Sequence, residues 1–204
     1  DGKRPGRRDH PTVTPAGILY HGPPLLAGDR VGFILLVVRP DGLGGIDEPR
    51  IADVDRDARD HGRHGAIVPT PEGGFTLLVR ETEKDTWKDL LTWDPTDALS
   101  SGPVGFDKSG NFMYLQDSRH VNAARLVKID AKSGDMVDVL VEDPNYDVGT
   151  VITDEDTYEP QAAVITKARD EWVILDESMR EDFENVKALD DGDIFITSRD
   201  NDNR

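Results

Sequence analysis

The first residues to consider for chemistry are the serines and histidines, because a hydrolase pairs a serine nucleophile with a histidine base. Ser100 and Ser101 precede Gly102, but neither serine lies in the G-x-S-x-G turn that exposes a nucleophile. His120 is the one histidine that follows the Gly-rich first third of the chain, and its setting, QDSRHVNAARL, is polar and turn-like. We therefore expect a surface histidine at this position and assign no catalytic residue.

A calcium loop is the second kind of site that the sequence suggests. In the run IADVDRDARDHGRH, Asp53, Asp55 and Asp57 have the alternating oxygen spacing of such a loop. The loop also requires a glycine at its sixth position and a glutamate at its twelfth, where this chain has Ala58 and His64. The run is therefore interpreted as a solvated polar loop.

Two other motifs in the same part of the chain fail for similar reasons. His61 and His64 could share a metal only on a helix, and the neighbouring glycines Gly62 and Gly65 disfavour one. The run GLGG at 42–45 follows a turn rather than a strand, so it does not predict a phosphate-binding loop. We expect no metal and no cofactor.

Charge and composition narrow the classes of partner. The 204 residues include 24 Lys and Arg against 41 Asp and Glu, which gives a net charge of −17 and a pI near 4.5. Nucleic acids and anionic membranes are bound through clustered cations, so neither is expected as a partner. Carboxylate pairs such as Asp154 with Asp156, or Asp190 with Asp191, are expected by chance at this density. Cysteine is absent, which excludes disulfides and thiolate chemistry.

The charge divides the chain near residue 65. Residues 1–65 carry 10 basic and 10 acidic side chains, 11 of the 19 glycines and 7 of the 13 prolines. This density of turn formers predicts a poorly defined segment, in which Ala27 to Gly42 resembles a strand entering a turn. Residues 66–204 hold the whole excess of negative charge, with 14 basic against 31 acidic side chains. We treat them as a second, regular region.

The compartment is indicated only by what the sequence lacks. Its longest apolar stretch, Val31 to Val38, is far shorter than the roughly 20 residues that span a bilayer. The N-terminus shows no signal-peptide order, so a cytoplasmic location is the expectation. Since the chain begins at Asp1 without a methionine and ends at Asn203 and Arg204 inside a polar turn, we expect it to be part of a longer protein.

A repeated layout of apolar run, polar turn and β-rich run organises the second region. Its copies lie at 67–81, 104–118, 150–166 and 194–203. Steps of 38, 46 and 44 residues separate the last apolar residues before the turns. A period of this length with several short strands is typical of propeller blades. An unrelated antiparallel sandwich remains the alternative.

The second copy predicts four strands joined by tight polar turns. These strands are Pro103 to Phe106, Phe112 to Gln116, Arg125 to Asp130 and Met136 to Val141. The fold class is therefore all-β, a partial propeller of about three four-stranded antiparallel blades, truncated at its C-terminus.

One helix interrupts this pattern, at 176–189. Ser178 and Glu181 have capping-box spacing. One face of the helix carries apolar residues at helical spacing: Met179, Phe183, Val186 and Leu189. We expect this face to dock on a sheet.

The collinear set of motifs resembles a known family. The set comprises PTPEGGFTLLVRE, the W-x-x-L-L-x-W run from Trp87 to Trp93, DALSSGPVGFDKSGNFMYLQDSRHVNAARLVKIDAKSGD, LVEDPNYDVG, EWVILDESMREDFENVKAL and GDIFITSRDND. In this order it is similar to the N-terminal propeller of prolyl-oligopeptidase-like serine peptidases, family S9, in their bacterial dipeptidyl and acylaminoacyl peptidase branch. The resemblance covers about 66–204. Residues 1–65 match the family poorly, and the resemblance implies an eroded version of the preceding blade as the alternative to a poorly defined segment there.

The resemblance implies a role without catalysis. In that family the triad lies in a C-terminal α/β-hydrolase domain, and the propeller admits peptides while excluding folded proteins. The chain would then be the gating portion of a serine peptidase, inactive alone, with a hydrolase domain of the same protein and peptide substrates as its partners. The alternative is a free-standing propeller-like protein-binding module of the WD40 or TolB kind.

Overall fold

The computed structural model describes residues 63–82, 84–190 and 192–196, together with the backbone of 33–35. Several motifs considered above lie outside these residues. They are the GLGG run, Asp53, Asp55, Asp57, Ala58, His61, Asp191 and the end of the fourth repeat copy at 197–203.

The described residues form mainly β-strands. The strands are β1 (Phe33–Leu35), β2 (His64–Pro69), β3 (Phe75–Arg80), β4 (Lys88–Trp93), β5 (Gly102–Phe106), β6 (Phe112–Asp117), β7 (Arg125–Asp130), β8 (Met136–Val141), β9 (Val148–Thr153), β10 (Pro160–Ile165) and β11 (Glu171–Ile174). Short 3₁₀ turns occupy Asp97–Leu99 and Glu177–Met179, and the helix α1 spans Arg180–Leu189. The four strands predicted for the second repeat copy are confirmed within one residue at each end. β2 begins at His64, two residues before the second region drawn from the sequence.

The strands form three sheets. Their orders are β1-β2-β3-β4, β5-β6-β7-β8 and β11-β10-β9. Every pairing is antiparallel except that of β1 with β2, which is parallel. The prediction of mostly β structure with antiparallel sheets is confirmed. The predicted form of about three four-stranded antiparallel blades is met in full by the second sheet alone among the described residues, since the first sheet contains a parallel pair and the third has three strands there.

The segment 192–196 lies beside the third sheet without joining it. The sequence predicts that a fourth repeat copy opens at 194, but residues 194–196, the part of that copy that the structure describes, have no regular structure. The indole nitrogen of Trp172 in β11 donates a hydrogen bond to the carbonyl oxygen of Ile194 at 3.1 Å. Arg169 pairs with Asp193 at 3.3 Å. Side-chain contacts therefore hold this segment against the outer strand.

The second sheet is packed on both faces. From β6, Met113 and Leu115 point into an apolar cluster shared with the first sheet, whereas Tyr114 points into a cluster shared with the third. The period of two along a strand produces this division, and burial on both sides explains why the strand is almost continuously apolar. The three sheets are thus stacked face to face in chain order.

The ends of the strands show that the first repeat copy was aligned incorrectly. The indole of Trp93, at the end of β4, donates to Asp117, at the end of β6. At the opposite end, Gly110 in the β5–β6 turn lies against Arg63, which precedes β2. The β2–β3 turn at 70–74 therefore lies at the β6–β7 end of the stack, away from the β5–β6 turn with which it was equated. β2, β3 and β4 correspond in position to β6, β7 and β8, so the step of 38 residues joined unlike turns.

The predicted helix is confirmed, but its cap is different. The carboxylate of Asp176, rather than Ser178, caps the turn, and it accepts a hydrogen bond from the Ser178 backbone nitrogen at 2.9 Å. Phe183 is buried against Trp172, with ring centroids 5.1 Å apart. Leu189 is 85% exposed, so only part of the predicted apolar face docks on the third sheet. Among the described helices none is long and apolar enough to cross a membrane.

Candidate functional site

Several connections of the stack meet at one end, which we call the loop rim. The loop rim comprises residues 70–74, 94–101, 118–124 and 143–147. Hydrogen bonds join its loops. The hydroxyl of Ser118 donates to the carboxylate of Asp97 at 3.1 Å. The side-chain amide of Asn122 donates to the carbonyl oxygen of Pro144 at 3.2 Å. Binding residues are often carried on loops held by a rigid scaffold, so the loop rim is the first surface to consider for function.

Asp117 anchors the loop rim to the core. Its side chain is 1% exposed and accepts hydrogen bonds from the Trp93 indole at 3.0 Å and from Arg119 Nε and Nη2 at 2.8 and 2.9 Å. Burial alone would raise the pKa of Asp117, but these hydrogen bonds and the positive charge of Arg119 hold it below its usual range. The carboxylate is therefore ionised and fully engaged, which suits a structural anchor better than an acid catalyst.

Two serines lie next to this anchor. The hydroxyls of Ser101 and Ser118 are 3.0 Å apart, and the Ser118 backbone nitrogen donates to the Ser101 hydroxyl at 2.9 Å. Within the described part of the chain, no histidine is hydrogen-bonded to either hydroxyl, and His120 is exposed on its turn with a φ of 64°. The prediction of a surface histidine is confirmed. Among the described residues, no base therefore lies beside these serines to activate a nucleophile.

The surface of the loop rim is acidic and partly apolar. Its five carboxylates, set against the single cation Arg119, are Glu72, Asp94, Asp97, Asp143 and Asp147. Three of its apolar side chains reach solvent, with Leu99 at 89%, Tyr146 at 45% and Val121 at 38% exposure. A surface of this kind can contact a peptide or another protein domain through both charge and apolar area.

Asp143 shows how the loop rim holds its charges in place. The backbone N–H of Asn145 and the ammonium of Lys167 lower the pKa of Asp143. The ammonium lies 3.3 Å from the carboxylate and 5.6 Å from the centre of the Tyr146 ring. The Asp143 carboxylate is therefore ionised at neutral pH and is paired with the Lys167 ammonium at this edge of the loop rim.

The other sequence candidates serve local structure. Asp154 accepts hydrogen bonds from the backbone nitrogens of Asp156 and Thr157 at 2.9 and 2.7 Å, so this carboxylate closes the β9–β10 turn. Across the described residues, no group of three or more His, Asp or Glu side chains could hold a metal ion. The contact that sequence reasoning missed is Trp93 with Asp117. The only signal for it was a tryptophan that ends the W-x-x-L-L-x-W run.

Fold and loop rim together define a class of domain. The described residues form three stacked, mainly antiparallel sheets. Their loops carry acids and exposed apolar groups around the buried, ion-paired carboxylate of Asp117.

The comparison with curated proteins agrees with the sequence resemblance. The chain is 35% identical over 129 residues to dipeptidyl aminopeptidase BIII of Pseudoxanthomonas mexicana. The match covers 63% of this chain and 18% of that enzyme, so the chain spans less than a fifth of this relative's length.

The other two comparisons found nothing. No family model matches the chain, and no solved structure matches it. The similarity to a dipeptidyl aminopeptidase, a family S9 peptidase, therefore rests on the curated relative.

Proposed function

We propose that this chain is the non-catalytic propeller portion of a serine peptidase related to dipeptidyl aminopeptidases, and that it controls the access of peptides to a hydrolase domain. The observation that carries the proposal is the 35% identity to dipeptidyl aminopeptidase BIII. The three sheets, stacked face to face in chain order, are consistent with successive blades of a propeller. In this arrangement β2, β3 and β4 are the second, third and fourth strands of the first blade, in the positions that β6, β7 and β8 occupy in the next one.

The loop rim is the surface that we propose peptides meet. Its carboxylates attract the protonated N-terminus of a peptide, and the exposed side chains of Leu99, Val121 and Tyr146 offer apolar contact. A ring of blades screens molecules by size, because a folded protein cannot enter an opening that an extended peptide can.

A chimeric enzyme tests the proposal. The matching region of dipeptidyl aminopeptidase BIII is replaced by that of this chain, and the release of dipeptides from a chromogenic dipeptide substrate is measured. We expect activity on short peptides and none on a folded protein that carries the same N-terminal dipeptide. A soluble chimera that cleaves the short peptide and the folded protein equally well would contradict the gating role.

The isolated chain supplies the second measurement. The 204-residue chain is incubated with a fluorophosphonate, which labels activated serines, and with the chromogenic substrate. We expect neither labelling nor turnover. Labelling that is lost in the Ser101→Ala or Ser118→Ala variant would show that the chain is itself a hydrolase and would contradict the proposal.

A further inference from the structure

A second surface, at the end of the stack opposite the loop rim, differs from it in charge. Here a cleft of about 180 Å³ opens between the first sheet and the β7–β8 turn. We call it the basic cleft. Its charged lining residues are Arg63, Arg80, Lys88, Lys132, Glu81 and Asp85.

The basic cleft gathers cations in a region that is strongly acidic. Residues 66–204 contain 14 basic and 31 acidic side chains, yet three of these cations, together with Arg63, line the cleft against two carboxylates. Placing like charges close together costs free energy. Carboxylates between the cations would lower that cost, and they are abundant elsewhere in this region. A cleft with a local excess of positive charge attracts anions from solution.

The two carboxylates of the cleft are already engaged. Glu81 pairs with Arg63 at 3.5 Å. Oδ2 of Asp85 accepts hydrogen bonds from the backbone nitrogen and hydroxyl of Thr82 at 2.9 and 2.7 Å. Over residues 63–82, 84–190 and 192–196, Lys88 and Lys132 form no ion pair. Their ammonium groups are therefore available to an incoming anion.

Arg80 contributes geometry as well as charge. Its guanidinium carbon lies 4.5 Å from the centre of the Trp87 ring. Stacking on an aromatic face restricts the plane of a guanidinium, and the N–H donors that recognise oxyanions lie in that plane. The cleft thus combines a guanidinium of restricted orientation with two ammonium groups.

We propose that the basic cleft binds a small multivalent oxyanion, of the phosphate or polycarboxylate kind. Its volume is below that of typical drug-sized pockets, which restricts the occupant to a small molecule or a single anionic group. The proposal is independent of the peptidase role, because it concerns the end of the stack away from the loop rim.

Calorimetric titration of the 204-residue chain with inorganic phosphate tests the proposal, with chloride at the same ionic strength as the reference. We expect saturable binding to one site and a higher melting temperature in phosphate than in chloride. Lys88→Gln and Lys132→Gln should each weaken phosphate binding about tenfold, since each removes one charge-assisted contact. A parallel titration with citrate distinguishes a phosphate site from a polycarboxylate site.

Lys187→Gln is the matched control, because it removes the same charge from exposed helix α1, far from the cleft in the fold. Its phosphate affinity should equal that of the parent chain. Circular dichroism checks that all three variants are folded. The proposal fails if neither phosphate nor citrate gives saturable binding, or if Lys187→Gln weakens binding as much as the cleft variants do.

Discussion

Gln116 and Asp117 are consecutive residues of β6 whose side chains leave opposite faces of the second sheet and bind the two sheets that flank it. The Gln116 amide donates to the carbonyl oxygen of Val148 in β9 at 2.6 Å. The Asp117 carboxylate accepts from the Trp93 indole of β4 at 3.0 Å. Two adjacent polar residues thus link all three sheets, and the period of two along the strand makes this possible.

Removing the Asp117 carboxylate should destabilise the chain strongly. In Asp117→Ala, the buried Trp93 indole loses its acceptor and Arg119 loses its counter-ion. We expect a loss of about 2–4 kcal/mol in the free energy of unfolding, measured by urea denaturation. Asp89→Ala, on the exposed side of β4, should change stability by less than about 0.5 kcal/mol. Equal losses in both variants would contradict the anchoring role.

The same carboxylate should make stability depend on pH in acid. Because the pKa of Asp117 is lower in the folded chain than the value of about 3.9 in an unfolded one, its contribution is complete above that value. The contribution is lost as the pH falls through the folded-state pKa. The stability difference between the parent chain and Asp117→Asn should therefore be largest near pH 7 and shrink below about pH 4. A difference that stays constant from pH 7 to pH 2.5 would show that the charge of Asp117 is not involved.

Gly74 should tolerate no side chain. A Cβ atom at this position would overlap the carbonyl oxygen of Trp93, which belongs to the backbone and cannot rotate away. We expect Gly74→Ala to cost about 1–3 kcal/mol and to lower the melting temperature. A Cβ at Gly105 meets no atom within 4 Å, so Gly105→Ala is the matched control and should melt within a few degrees of the parent chain.

Helix α1 should detach when its buried aromatic residue is removed. Phe183 is 6% exposed and packs on Trp172, whereas Val186 is 46% exposed. Phe183→Ala should therefore speed trypsin cleavage after Arg180 and Lys187 at least tenfold, as followed by mass spectrometry, because local opening becomes less costly. Val186→Ala should be cleaved at the parent rate. Equal protection in both variants would mean that the Phe183 contact does not hold the helix.

The strands of the second sheet could be predicted because local signals agreed there. The turns at Asp107 to Asn111 and at Asp130 to Asp135 have strong turn formers, and Gly110 and Gly134 adopt positive φ angles of 69° and 76°. The helix was also visible, from apolar residues at helical spacing.

The relation between the sheets could not be predicted from such local signals. The turn at 70–74 resembles the one at 107–111 in composition, but a hairpin turn does not show at which end of a sheet it lies. Only the contacts of Trp93 and Arg63 with the second sheet establish that. Similarly, Asp176 and Ser178 are both good caps, and the geometry that selects Asp176 depends on the amide of Gln161, which donates to its carboxylate at 2.8 Å.

The two links from the end of β6 also have a mechanical consequence. Gln116 and Asp117 lie at the loop-rim end of the strand, so both cross-sheet hydrogen bonds act at the same end of the stack. Apolar packing is weakly directional, and it allows small sliding and tilting that a hydrogen bond to a fixed partner resists. Any slow rotation of one sheet relative to the next is therefore expected to have its axis near the loop rim. The largest displacements should then occur at the turns of the opposite end.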